Sequence, residues 1–159
     1  MQTRAQAALT ADGEAAEALR ELLGELLRYP EPLRHVAEII QGSDVAYPMP
    51  GGGARPHPLL GKLAPDLLVE ASDGAVRVAE LVRAARGLLL DFTAGSVVAG
   101  ATPAGPGRVS VLAARCLTRP ARADALLIRP DGYVAWAAGP DAEASGRADG
   151  LHEALRAWF

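Results

Sequence analysis

Cysteine is almost missing from this 159-residue chain. Cys116 is the only one, so no intrachain disulfide can form and no resolving thiol is present. Long apolar runs are absent too, and none approaches the ~18 residues of a membrane span. The N-terminus lacks the basic-then-apolar profile of a signal peptide. Net charge is −3, the charges are mixed, and no basic run stands out. Nucleic acid and anionic membranes are therefore not expected partners, and the expected location is the cytoplasm. Histidine occurs three times, at His35, His57 and His152, and none has a second histidine or a cysteine at ligand spacing. No metal site is expected. No G-x-S-x-G elbow and no G-x-G-x-x-G fingerprint occurs. No catalytic residue and no cofactor is expected from motifs.

What is present is a clear folding signal. Asp124–Trp136 reads DALLIRPDGYVAW. Two apolar runs flank Pro130-Asp131-Gly132, where proline presets φ and Asp-Gly supplies the turn, so a hairpin is predicted. Half of the residues are hydrophobic, and a chain of this length can bury roughly two thirds of its unfolded surface without a covalent staple. Upstream, Leu19, Leu22, Leu23, Leu26 and Leu27 recur at helical spacing, with Asp12 as the expected N-cap. Tyr29-Pro30-Glu31-Pro32 ends this helix, and a second helix follows, with Leu33, Val36, Ala37 and Ile40 on one face and Gly42 as its C-cap.

Four regions are expected: a flexible tail over 1–12, a helical hairpin over 13–43, a Pro/Gly-rich linker over 44–65, and an α/β domain over 66–159. The last begins with strands near Leu67–Val69 and Ala75–Arg77 and a short helix over Val78–Ala85. Gly87–Phe92 is a continuous apolar run suited to a strand buried on both faces. A short helix over Val97–Ala101, a strand over Arg108–Ala113, the hairpin and a helix over Gly150–Phe159 complete the order. A strand–helix–strand unit followed by a hairpin and a helix is the thioredoxin-like order, a mixed sheet flanked by helices with right-handed parallel crossovers. The place of the redox pair reads Thr93-Ala94-Gly95-Ser96, without cysteine. Asp124-Ala125 stands where that fold usually keeps a proline.

Aromatic residues make up only 4% of the chain, so each one is conspicuous. Tyr133 and Trp136 have opposite parity and are expected on opposite faces of their strand. Tyr47, His57, Tyr133 and Trp136 are the candidate ligand-contacting residues, with Trp136 either core or a stacking platform.

Several stretches together resemble the C-terminal region of actinobacterial FAD-dependent aromatic polyketide hydroxylases. They are Leu26–Gly51, His57–Leu67, Arg77–Thr93, Ala123–Ala138 and Leu151–Phe159. The resemblance implies a thioredoxin-like domain without the cysteine pair, preceded by helices that belong to the body of the flavoenzyme. The flavin and substrate domains of that family have no counterpart here, so none of its flavin-binding or catalytic residues carries over. The expectation that follows is a free-standing, non-catalytic accessory protein of aromatic polyketide antibiotic biosynthesis that binds planar natural products or intermediates. The alternative is an interaction protein that docks on a flavin hydroxylase, or on a second copy of itself, through the Leu19–Leu27 and Leu33–Ile40 stripes.

Overall fold

The computed structural model describes residues 2–42, 45–50, 56–93, 107–118, 123–142 and 144–159. The chain divides into two compact units, Met1–Asp44 and Val45–Phe159. The predicted Val97–Ala101 helix and the Gly51–Gly53 run lie outside the described residues.

The first unit is helical: α1 (Gln2–Thr10), α2 (Glu14–Leu26) and α3 (Pro30–Gln41). The expected tail is therefore a helix over most of its length. The Arg20 guanidinium, on α2, donates to the Leu9 and Ala11 carbonyls at 2.8 and 3.1 Å, caring for acceptors at the C-terminal end of α1. Gly13, not Asp12, is the N-cap of α2, and it gives no side-chain hydrogen bond. Pro30 opens α3, where its missing N–H costs nothing, and Gly42 closes it at φ +70°. Ala16 is the one buried residue of α2, and α3 buries none of its side chains.

The second unit carries two sheets. In the smaller one, β1 (Leu68–Ala71) pairs antiparallel with β2 (Gly74–Arg77) and with β5 (Arg115–Cys116), in the order β2-β1-β5. The short helix α4 (Val78–Leu81) runs into a 3₁₀ turn over Val82–Ala84. The larger sheet has the order β4-β3-β6-β7, from β3 (Gly87–Asp91), β4 (Val109–Ala113), β6 (Ala125–Ile128) and β7 (Val134–Ala138). Strands β3 and β4 are parallel; β6 is antiparallel to both β3 and β7. One parallel crossover followed by a hairpin is the order expected for the thioredoxin-like arrangement. The chain ends in α5 (Ala144–Trp158), which begins six residues before the predicted start.

Burial explains the apolar run of β3. Leu89 points into a core shared with Trp136, Leu127, Leu151 and Leu155, beneath α5. Leu88 and Leu90 point the other way, into a core with Val69, Val78, Leu126 and Ile128. A strand covered on both faces needs apolar residues at every position, not at alternate ones. Each fully buried leucine contributes about 1.5–3 kcal/mol relative to exposure.

The segment expected as a linker is instead built into this unit. Gly61 N–H donates to the Val134 carbonyl, Val134 N–H to the Lys62 carbonyl, and Ala64 N–H to the Gly132 carbonyl, all within 2.8–2.9 Å. Leu63 and Tyr133 form an antiparallel bridge. Residues 61–64 thus line the open side of β7 and satisfy its backbone groups, which an exposed edge would leave unpaired.

Candidate functional site

The predicted hairpin forms, and its turn organises the neighbourhood of the candidate residues. Gly132 sits at φ +87°, and its N–H donates to the Arg129 carbonyl at 2.9 Å. Arg129 N–H donates to the Tyr133 carbonyl at 2.8 Å, closing a three-residue loop with glycine in the left-handed position. Asp131 holds the turn twice: its carboxylate pairs with the Arg129 guanidinium at 2.7 Å and accepts the Tyr133 N–H at 3.3 Å. The Arg129 guanidinium also lies 3.8 Å over the Trp158 ring, fastening the last turn of α5 to the hairpin.

The structure brings two of the four candidates together. Tyr47 and Tyr133 meet edge to face, with centroids 4.9 Å apart and planes at 78°. Tyr47 is held there by its backbone: its N–H donates to the Gly61 carbonyl at 2.9 Å. Gly61 is buried at φ +76°, and a Cβ there would stand 2.0 Å from the Tyr47 carbonyl oxygen, so only glycine fits. Burial pushes the Tyr133 phenol above its ordinary value of 10.0; the neighbouring Tyr47, a hydrogen bond with it, and Asp131 act in the same direction.

His57 is a turn residue in the same layer. Its Nδ1 accepts the Leu59 N–H at 3.2 Å and its carbonyl accepts the Leu60 N–H at 2.9 Å. With Nδ1 occupied as an acceptor, the imidazole shapes the loop that ends in Gly61. Trp136 is not a platform. It is 4% exposed and packs beneath α5. A bulge interrupts the alternation of this strand: Leu127 pairs with Trp136 and Ile128 with Val134, leaving Ala135 extra. Val134 therefore faces one core while Ala135 and Trp136 both face the other.

Sequence reasoning passed over two polar residues that the fold makes prominent. Asp91, the last residue of β3, is fully buried, and its Oδ1 accepts the Thr93 N–H and hydroxyl at 2.7 and 2.6 Å. An acid ending the run GLLLD was the available signal. Arg147, in the first turn of α5, pairs with Asp124 at 3.1 Å and donates to the carbonyls of Gly139, Pro140 and Ala142 at 2.7–3.0 Å. Asp124 thus anchors a helix at the start of β6. Cys116 is half-buried, and its thiol donates to the Thr118 carbonyl.

Among the described residues, no group of three or more histidine, cysteine or carboxylate side chains is placed to hold a metal ion, and no helix is long and apolar enough to cross a membrane.

The described residues of the second unit form a mixed α/β domain of two sheets closed by a C-terminal helix. The sequence profile of the aromatic-ring hydroxylase C-terminal family matches residues 57–159, and the chain belongs to that family. It is 42% identical over 161 residues to a 12-dehydrotetracycline 5-monooxygenase/anhydrotetracycline 6-monooxygenase of Streptomyces rimosus, matching 99% of this chain and 30% of the relative. The solved anhydrotetracycline hydroxylase of Streptomyces rimosus superposes with a TM-score of 0.76 at 40% identity, over 99% of this chain and 31% of the other. A Diels-Alderase from the biosynthetic pathway of pyrroindomycins superposes with a TM-score of 0.64 at 31% identity, over 99% of this chain and 28% of the other. The chain thus spans about 30% of the length of the curated relative it matches. These relatives correct the expectation of a protein outside catalysis: they are named monooxygenases and a Diels-Alderase, so this region occurs within enzymes.

Proposed function

We propose that this chain serves as the C-terminal region of an aromatic-ring monooxygenase acting on polycyclic polyketides, with α2 and α3 seated on the remaining, larger part of the enzyme. The observation that carries the reading is the state of these helices. Leu22, Leu26, Leu33 and Ile40 are 54%, 46%, 51% and 75% exposed, an apolar surface of the kind that marks an interaction face. The relatives supply the candidate cover, since most of their length lies outside the region this chain matches. A cytoplasmic location goes with this reading, as does a planar aromatic substrate. The half-exposed Tyr47 ring, backed by Tyr133, is the contact we assign to such a substrate.

The test mixes the full chain with the flavin and substrate portion of the tetracycline monooxygenase relative. Light scattering after size exclusion should report a complex, and hydroxylation should rise when the chain is added. Leu22→Asp with Leu33→Asp should abolish both effects. A clean monomer that leaves hydroxylation unchanged overturns the docking reading.

A further inference from the structure

The contact between Tyr47 and Tyr133 has a chemistry of its own, independent of any substrate. We propose that these two residues are an oxidative cross-linking site, at which a one-electron oxidant of the haem-peroxidase type, working with hydrogen peroxide, joins them as an intrachain dityrosine.

The geometry carries the argument. The ring centroids lie 4.9 Å apart and the planes stand at 78°, so the edge of one ring already meets the other. A phenoxyl radical carries its spin on the oxygen and on the ring carbons ortho to it. Tyr47 is 52% exposed, so an oxidant reaches it from solvent. Both rings are held by backbone bonds, Tyr47 N–H to the Gly61 carbonyl and Arg129 N–H to the Tyr133 carbonyl. The radicals therefore form at fixed close range, and intramolecular coupling outruns collisions between chains.

The step balances. Each phenol gives up one electron and one proton. The two radicals form a carbon–carbon bond between ortho positions, and the two displaced ring hydrogens move to the oxygens to restore both phenols. Two electrons and two protons leave in all, and they reduce one hydrogen peroxide to two waters. The product ties the segment around Tyr47 to the hairpin covalently and closes a long loop, which raises resistance to unfolding.

The composition makes the test clean, because the chain has only three tyrosines. The third, Tyr29, lies in the helical unit and is 64% exposed, so it reports coupling that does not depend on proximity. A dilute solution of the chain treated with peroxidase and peroxide should remain monomeric and lose the mass of two hydrogens. It should gain the blue fluorescence of dityrosine and yield a linked pair of peptides carrying Tyr47 and Tyr133. Tyr29→Phe should leave this signal intact, whereas Tyr47→Phe and Tyr133→Phe should each abolish it. Peptide mapping of the unmodified sequence needs no variant and so stands even if one of them misfolds. Linkage through Tyr29, coupling only between chains, or survival of the intrachain signal in Tyr47→Phe would overturn the proposal.

Discussion

Gly61→Ala is the substitution that separates a tether from a structural layer. The added Cβ would lie 2.0 Å from the Tyr47 carbonyl oxygen, and that oxygen belongs to the backbone, so it cannot swing aside. The left-handed φ of +76° adds about 1–2 kcal/mol of strain for a residue with a Cβ. Relieving the overlap breaks the bonds from Tyr47 N–H to Gly61 and from Gly61 N–H to Val134, each worth about 0.5–1.5 kcal/mol. The expected cost is about 2–5 kcal/mol, which for a unit of this size lowers the midpoint of thermal unfolding by roughly 10 °C or more. Gly74→Ala is the control. Gly74 also has a positive φ, +111°, but nothing lies within 4 Å of its would-be Cβ, so only strain is added. The assay is thermal unfolding followed by near-ultraviolet circular dichroism, where the Tyr47–Tyr133 contact also contributes. If Gly61→Ala melts within about 2 °C of Gly74→Ala, residues 45–65 are a tether after all and the layer described above is wrong.

Other outcomes follow from the same structure. Trp136→Ala should cost about 3–5 kcal/mol in denaturant unfolding, since it opens a cavity beneath α5; a loss near zero would mean that the ring faces solvent. Arg147→Met removes the pair with Asp124 and three carbonyl contacts. It should cost about 1.5–3 kcal/mol, with a double-mutant cycle against Asp124→Asn showing coupling. Strict additivity would show that the two do not act together. The Tyr133 phenol has its folded-state pKa raised, so the stability it contributes is complete below the unfolded value near 10 and is lost as pH rises through the folded value. Tyrosinate absorbance should show a phenol ionising above the ordinary value near 10, and Tyr133→Phe should remove that late step.

Local chemistry by itself determined a good deal. Pro130-Asp131-Gly132 specified a turn that closes with Gly132 left-handed, because few other residues tolerate that φ. Gly42 marked the C-terminal end of α3, acting within one turn of backbone. The unbroken run Gly87–Leu90 announced a strand covered on both sides, and the family resemblance rests on stretches of the same kind. What escaped the sequence depends on contacts between residues far apart in the chain. The bulge at Ala135 places Ala135 and Trp136 in one core and Val134 in the other, since register is set by the partner strand and not by the parity of one strand. Residues 61–64 looked like punctuation because proline and glycine forbid regular structure locally, yet β7 offered an unpaired edge and they filled it. Tyr47 and Tyr133 meet for that reason alone: their 86-residue separation is spanned only when the Gly61 turn docks on the hairpin. Side-chain identity set the elements, and backbone groups in need of partners decided which residues became neighbours.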